Sequence, residues 1–203
     1  ALLACELGAS VVRTHNVEMT AAALKDLRPA VLLGLGSNVA LVAEPGEETE
    51  AKIAQLNLAV GQLCSLPDTQ IMDMSSFYES EPAYETRQDA FANAVIEIKT
   101  ELAPLVLLDE LMKIEAELGR DRSKKAKANG PRTIDLDLLW MDGETHGGKK
   151  LRLPHPLIGE RDFVLVPLED LMHDPARFFR YNGVEVKEPE DRVGHIVGEL
   201  GRM

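Results

Sequence analysis

Residues 130–140 read GPRTIDLDLLW, a run with the alternation of a β-strand that nevertheless carries two aspartates. Because side chains alternate between the two faces of a strand, Asp135 and Asp137 point the same way and Leu136 points the other. Two like charges so close together disfavour joint ionisation. The pattern therefore predicts either that one carboxyl stays protonated or that a cation lies between the two.

The same run is predicted to be an inner strand of a sheet. An Asp-x-Asp pair alone is more often found on a solvated edge strand, but Leu138, Leu139 and Trp140 make this one very apolar. Carboxylates in the interior rarely lack a partner. They suit Mg²⁺, which usually takes one or two protein carboxylates together with substrate phosphates. The two aspartates are therefore candidate metal ligands for a phosphate-bearing substrate.

Overall composition places the chain among ordinary globular proteins. It has 203 residues, 45% hydrophobic and 28% charged, with a formal net charge of −12. This negative charge argues against partners such as nucleic acid or an anionic membrane surface, and we expect neither. No run approaches the roughly 18 apolar residues of a membrane span. Cys5 and Cys64 are too few for a disulfide framework, which favours a reduced, cytoplasmic setting.

Positive charge is concentrated in residues 120–132, where six basic side chains accompany one acid, Asp121. Guanidinium groups match phosphate oxygens bidentately, and a basic loop beside a metal site could close over a polyphosphate and exclude water. We favour the arginines as phosphate ligands, whereas the lysines are better explained as a solvated loop. The six basic residues are Arg120, Arg122, Lys124, Lys125, Lys127 and Arg132.

Other candidate ligands lie further along the chain. His155 stands between two prolines and near Arg161, so it could donate a hydrogen bond to a phosphate, although a lone histidine is usually structural. Phe91, Asn93 and Phe163 could stack on and hydrogen-bond a flat heterocycle. Each phenylalanine alone is better explained as part of the core.

The periodicity of apolar residues predicts an α+β fold. Strands are expected at 30–35, 71–78, 91–99 and 134–140, and helices at 47–64 and 104–118. The order strand, helix, strand, strand, helix, strand is the ferredoxin-like split βαβ arrangement. We expect an antiparallel sheet with helices packed mainly on one face and the opposite face free for a site. The C-terminal part is predicted to form a helix at 164–172, a small hairpin around 182–183 and a final helix.

Seven motifs occur in the order and spacing of one enzyme family. They resemble those of the 6-hydroxymethyl-7,8-dihydropterin pyrophosphokinases of folate biosynthesis, over about residues 30–171. The resemblance implies transfer of an intact pyrophosphoryl group from MgATP to the pterin hydroxymethyl, giving AMP and the pterin diphosphate. The motifs are LGLGSN (33–38), SSFYES (75–80), FANAV (91–95), ELGRDR (117–122), GPRTIDLDLL (130–139), LPHP (153–156) and ERDFVLVPL (160–168).

The resemblance also assigns roles to residues. It implies that Asp135 and Asp137 are metal ligands for two Mg²⁺ ions that bridge the ATP phosphates and the attacking hydroxyl. The implied catalytic residues are Arg120, Arg132, Asp135 and Asp137. The implied ATP contacts are Glu115, Arg122, Arg132, Lys150, Arg152, His155 and Arg161. The implied pterin contacts are Ser80, Ala83, Phe91, Asn93 and Phe163, with Asn93 reading the amide edge of a ring held between the two phenylalanines.

The N-terminal stretch GASVVRTHNVEMTAAAL (8–24) resembles the last strand and helix of dihydropteroate synthase, a (β/α)₈ barrel. In that family an Arg-x-His, here Arg13 and His15, holds the phosphate end of the pterin substrate. One strand and one helix cannot bury a core, so this part cannot be active by itself. We expect residues 1–28 to be a synthase-like remnant and residues 29–203 a pyrophosphokinase domain, from a fusion or association of the two enzymes.

Two alternatives remain at the level of sequence. A non-catalytic domain that binds pterin or nucleotide would share the same fold, but the presence of both aspartates and the arginines argues against it. Residual dihydropteroate synthase activity would need the other seven barrel units, which a chain of this length does not contain.

Overall fold

The structure is a computed structural model and describes residues 30–123 and 129–202. The predicted synthase-like remnant at 1–28 lies outside the described residues. The same holds for the three lysines of the basic loop, Lys124, Lys125 and Lys127.

Six strands form one antiparallel sheet in the described part of the chain. Two further strands form a ribbon of their own, and the eight described strands, in chain order, are β1 (Ala30–Ser37), β2 (Thr69–Met74), β3 (Phe77–Ser80), β4 (Phe91–Thr100), β5 (Asp135–Met141), β6 (His146–Gly147), β7 (Arg152–Leu153) and β8 (Ile196–Gly201). The sheet order is β5-β1-β4-β3-β8, with β2 also pairing with β4, while β6 and β7 form a separate ribbon. This order confirms the predicted ferredoxin-like α+β fold.

Helices pack on both faces of the sheet, and the two longer ones share a face. The described helices are α1 (Glu48–Leu63), α2 (Pro104–Glu117), α3 (Asp162–Leu168) and α4 (Pro175–Tyr181). The larger core lies between the sheet and α1 and α2, and it contains the fully buried Leu33, Leu56 and Leu111. None of the described helices is long and apolar enough to cross a membrane.

The opposite face of the sheet is partly covered, although we expected it to be free. A second core joins Leu32, Val95 and Leu139 of the sheet to Leu165 of α3 and Phe179 of α4. The strands can supply side chains to both cores because successive residues alternate between faces. The uncovered remainder of this face, beyond α3, holds the cleft described below.

Strand β5 lies at an edge of the sheet, so its predicted inner position is wrong. Among the described residues it pairs in the sheet only with β1. Both of its faces are nevertheless buried: Leu136 and Leu138 belong to the larger core and Leu139 to the smaller one. Beyond its outer side, the backbone N–H of His155 donates to the Leu139 carbonyl over 2.7 Å. An edge strand covered on both faces is as apolar as an inner one, which explains the error.

The predicted hairpin and final helix at the C-terminus are also wrong. Asp174 caps the N-terminus of α4 by accepting a hydrogen bond from Arg177 N over 2.8 Å. The residues around Gly183 end that helix instead of joining two strands. The tail then forms β8, whose side chains alternate between half-buried and exposed along its pairing with β3. Alternation of this kind is typical of an edge strand.

Ser75 closes the sheet ladder where β2 ends and β3 begins. Its N–H donates to the Val95 carbonyl over 2.9 Å, and its hydroxyl accepts from Val95 N over 2.9 Å. The same hydroxyl donates to the Ser76 carbonyl over 2.7 Å. A fully buried side chain thus takes the place of a backbone carbonyl and leaves no amide of β4 unpaired at the bend.

We predict that Ser75→Ala lowers the free energy of unfolding by about 1–3 kcal/mol, because Val95 N–H would be buried without an acceptor. Urea denaturation of both proteins measures the difference. Ser65→Ala is the matched control, since Ser65 is exposed and its hydroxyl donates to the Gly61 carbonyl within its own helix end. Equal effects of the two substitutions would contradict this role of Ser75.

Candidate active site

A cleft opens on the uncovered part of the sheet. Its floor is formed by two glycines of β1, Gly34 and Gly36, which pair with Asp137 and Asp135 of β5. A Cβ added to Gly36 would lie 3.2 Å from Asn93 Oδ1. Because these two residues have no side chains, they leave room between the polar residues on either side of the cleft.

The cleft brings together nine of the residues that the sequence singled out. The remaining predicted ATP-binding and catalytic residues do not line the cleft. The predicted residues that line it are Ser80, Ala83, Phe91, Asn93, Arg132, Asp135, Asp137, Arg161 and Phe163. The predicted residues outside its lining are Glu115, Arg120, Arg122, Lys150, Arg152 and His155.

The two aspartates face the same cleft, as strand alternation predicts, and each contacts arginine. Asp135 forms ion pairs with Arg132 and, over 3.2 Å, with Arg120 Nη2. Asp137 Oδ2 accepts a hydrogen bond from Arg161 Nη1 over 3.0 Å. Both carboxylates are thus partly neutralised by cationic side chains from neighbouring loops.

The Asp135 carboxyl has a raised pKa. Burial, and then the nearby negative charge of Asp137, raise the pKa of Asp135 to about 6, while Arg132 and Arg120 act in the opposite direction. Desolvation therefore outweighs the two arginines. The site therefore favours a proton on one carboxyl below about pH 6, which is the first of the two outcomes that the sequence allowed.

The donor chemistry of the site fits Mg²⁺ only together with a ligand that supplies further oxygens. Residues 30–123 and 129–202 contain no group of three or more His, Cys, Asp or Glu side chains able to hold a metal ion. Mg²⁺ binds oxygen and commonly uses one or two protein carboxylates, water and substrate phosphates. Asp135 and Asp137 meet this requirement when a polyphosphate is present.

Two arginines of the cleft are also held by aromatic rings. The Arg161 guanidinium carbon lies 5.7 Å from the ring centre of Tyr84 and 5.3 Å from that of Phe163. The Arg132 guanidinium carbon lies 5.3 Å from the ring centre of Phe91. These distances are within the range of cation–π attraction. The two phenylalanines predicted to bind a flat ring therefore each have an arginine beside the ring.

The polar end of the cleft is fixed by a buried pair. Asn93 Nδ2 donates to Ser80 Oγ over 2.9 Å, and both side chains are at most 3% exposed. The amide of Asn93 thus has a set orientation toward the space above Gly36. An oriented amide can recognise a matching donor and acceptor on a heterocycle edge.

Three residues around the cleft were missed by sequence reasoning: Asn38, Tyr84 and Gln88. Asn38 Nδ2 donates to Gln88 Oε1 over 3.1 Å, and Asn38 Oδ1 accepts from Arg132 N over 2.8 Å. Gln88 Nε2 donates to the Asn129 carbonyl over 2.9 Å. The Tyr84 hydroxyl accepts from Arg161 Nε over 3.3 Å. Asn38 could have been found from its place in the LGLGSN motif. Tyr84 and Gln88 could not, because the loop at 81–90 has no periodic pattern.

Glu115 and Arg122 lie behind the cleft. Glu115 is fully buried, its Oε1 accepts from Leu136 N over 2.9 Å, and its Oε2 accepts from Arg122 Nε over 2.9 Å. Arg120 donates to the Ile134 carbonyl. These contacts hold the start of β5 and the two arginines in place. Direct ATP contacts by these residues remain predictions.

The remaining predicted ATP residues lie toward the β7 side. Lys150 Nζ pairs with Asp109 of α2 over 2.7 Å at the surface, and Arg152 is exposed. Burial lowers the pKa of His155, so this imidazole is neutral at pH 7. Its Nδ1 accepts from Leu157 N over 3.2 Å, which leaves the imidazole hydrogen on Nε2. His155 can therefore act as a hydrogen-bond donor.

Comparison with known proteins identifies relatives over most of the chain. The family model for 7,8-dihydro-6-hydroxymethylpterin-pyrophosphokinase (HPPK) matches residues 32–173. A 2-amino-4-hydroxy-6-hydroxymethyldihydropteridine pyrophosphokinase of Haemophilus influenzae is 40% identical over 129 residues, covering 64% of this chain and 79% of the relative. Another, of Methylorubrum extorquens, is 41% identical over 142 residues, covering 70% and 82%. The folic acid synthesis protein FOL1 of Dictyostelium discoideum is 42% identical over 101 residues, covering 50% of this chain but 15% of that longer protein.

We predict that the Asp135 carboxyl of the metal-free protein titrates near pH 6 and that Asp137→Asn lowers its pKa, because the substitution removes a neighbouring negative charge. Carbon-13 NMR of the aspartate carboxyls measures the midpoint. Asp142→Asn, an exposed aspartate just after the other end of β5, is the control and should leave the midpoint unchanged. An unaltered midpoint in Asp137→Asn would contradict the described coupling.

Proposed function

Because the chain belongs to the 7,8-dihydro-6-hydroxymethylpterin-pyrophosphokinase family, we propose that it transfers pyrophosphate from ATP to 6-hydroxymethyl-7,8-dihydropterin. The products are AMP and the pterin diphosphate, an intermediate of folate synthesis made in the cytoplasm. The observation that carries the proposal is the shared cleft, in which Asp135 and Asp137 face the same space as the oriented amide of Asn93.

The pterin is assigned to the end of the cleft near β3 and β4. Asn93, held by Ser80, would pair with the amide edge of the pterin, and Phe91 and Phe163 would cover its two faces. Ala83 lines the same end and would supply backbone contacts together with Ser80. The hydroxymethyl group would then point toward the aspartates of β5.

The triphosphate is assigned to the arginine-rich end. Arg120, Arg132 and Arg161 already converge on the two aspartates, and each could exchange a carboxylate oxygen for a phosphate oxygen when ATP binds. His155 would donate from Nε2, and Arg122, Lys150, Arg152 and Glu115 are assigned to the outer part of the nucleotide by resemblance. The cation–π contacts keep Arg132 and Arg161 extended toward the phosphates.

Catalysis in this arrangement is positioning and charge neutralisation, with no covalent nucleophile. Asp135 and Asp137 would hold Mg²⁺, which supplies the neutralisation of phosphate charge when bound, and we assign two ions to the site. The arginines would bind the oxygens of the transferred group, while the ring contacts hold the hydroxymethyl oxygen toward the phosphorus and reduce access of water.

We predict that the protein forms AMP from ATP, Mg²⁺ and hydroxymethyl-dihydropterin, and that Asp137→Asn lowers kcat on the order of 100-fold or more through loss of a preorganised charge. A coupled assay that detects AMP measures both. Asp142→Asn should retain the wild-type rate, since this exposed aspartate lies outside the cleft. Full activity in Asp137→Asn would overturn the metal assignment.

A non-catalytic pterin- or nucleotide-binding domain is the alternative. Titration calorimetry with a non-hydrolysable ATP analogue and then with the pterin, each with and without Mg²⁺, distinguishes the two. Binding of both ligands without AMP formation in the coupled assay would support the non-catalytic domain and refute the enzyme.

We also propose that the chain is part of a fusion with, or associates with, a dihydropteroate synthase, with the boundary near residue 28. Support comes from the Arg13-x-His15 pattern and from the folic acid synthesis proteins of Dictyostelium discoideum and Pneumocystis carinii, of whose length this chain covers 15% and 14%. Mass spectrometry of the natural protein and its co-purifying partners tests this. A protein without synthase sequence and without a bound synthase would refute it.

A further inference from the structure

The segment at residues 185–196, here named the C-terminal strap, borders the cleft although it lies beyond the residues that the family model matches. Its first contacts are with the loop before α3. Lys187 N donates to the Gly159 carbonyl over 2.8 Å, and Lys187 Nζ pairs with Glu160 over 2.9 Å. Val193 N donates to the Glu160 carbonyl over 2.8 Å.

The strap is attached most firmly at Asp162, the residue between two cleft residues, Arg161 and Phe163. Asp162 N donates to the Val193 carbonyl over 3.0 Å. Its buried carboxylate contacts Arg192 Nη1 over 3.3 Å and His195 Nδ1 over 2.8 Å. The strap therefore holds the first turn of α3 by both backbone and side-chain bonds.

The same strap also holds the opposite wall of the cleft. The His195 carbonyl accepts a hydrogen bond from Glu81 N over 3.0 Å, and Ile196 pairs with Ser80 at the end of β3. His195 thus binds the α3 side through its imidazole and the β3 side through its backbone. Its position fixes the separation between Phe163 and the segment from Ser80 to Ala83.

Gly194 lies between these two attachments and leaves no room for a side chain. It is buried, its φ is +64°, and a Cβ at this position would lie 2.4 Å from Phe163 Cδ1 and 3.4 Å from Ala83 Cβ. Real Cβ atoms do not approach that closely, and α3 is packed from behind by the smaller core. The Phe163 ring would have to move into the cleft.

We propose that Gly194 and His195 are positioning residues of the pterin pocket, which set the place of the Phe163 ring and so determine which flat heterocycles the cleft accepts. This role rests on the proposed function, because it assigns the pterin to the cleft end that contains Phe163. The strap also lies beside Arg161, which stacks on Phe163, so we expect the larger effect on pterin binding and a smaller one on the nucleotide.

The test is Gly194→Ala, with pterin affinity measured by fluorescence titration in the presence of a non-hydrolysable ATP analogue and Mg²⁺. We expect the Kd for pterin to rise about tenfold or more, as for loss of one well-packed contact, with a clearly smaller rise in the Kd for the ATP analogue. In turnover, KM for pterin should rise with little change in KM for ATP.

Gly183→Ala is the matched control. Gly183 has a similar φ of +78°, and no described atom lies within 4 Å of the Cβ that alanine would add. Gly183→Ala therefore introduces a similar backbone strain but no contact with Phe163. Equal pterin affinities in the two alanine variants would overturn the proposal.

A Phe163→Ala background isolates the contact. Because the ring that the new methyl group strikes is absent there, Gly194→Ala should cause no further loss of pterin affinity. An undiminished effect in that background would show that Gly194 acts in some other way and would overturn the proposal.

His195→Ala decides the matter if Gly194→Ala does not fold, as judged by circular dichroism. It removes the bond to Asp162 without backbone strain, and we expect a several-fold rise in the pterin Kd. His173→Ala, an exposed histidine, is its control. Equal pterin affinity in these two variants would overturn the proposal, whereas normal binding without AMP formation in the wild type would refute only the proposed function.

Discussion

Neutralising two carboxylates on one short strand is the constraint on which the site depends. Asp135 and Asp137 cannot move apart, since they belong to a strand that is paired with β1 and contributes side chains to both cores. Their compensation comes from three arginines in separate parts of the chain, after α2, before β5 and before α3. Electrostatics therefore connects elements that hydrophobic packing assigns to two different cores.

The strands and the two long helices could be predicted because each buries one face, so that apolar residues recur at a regular spacing in the sequence. The position of β5 could not, since burial by loops and helices produces the same apolar run as burial between strands. The C-terminal strand was missed for a related reason. Its residues are only half-buried, and its place is set by the free edge of β3, which no local pattern reveals.

The candidate site shows the same division. Some of its residues lie in motifs that can be recognised in the sequence, namely Asp135, Asp137, Asn93 and Phe163. Other residues act only through tertiary contacts: Asn38 reaches Arg132 across 94 positions, and Gly194 matters because of the ring that lies beside it. Gly194, Gln88 and Tyr84 lie outside regular patterns and carry no signal in the sequence until the fold brings their partners to them.

The contact between His155 and the outer side of β5 has a consequence for how molecules of this protein meet each other. An apolar strand at a sheet edge is a template on which a second chain can add itself, and such addition begins many aggregates. Here that side is approached by a residue flanked by Pro154 and Pro156, which have no N–H to offer. The covering segment donates one hydrogen bond to β5 and cannot continue the sheet outward. A high protein concentration should therefore not lead to aggregation by strand addition at this edge.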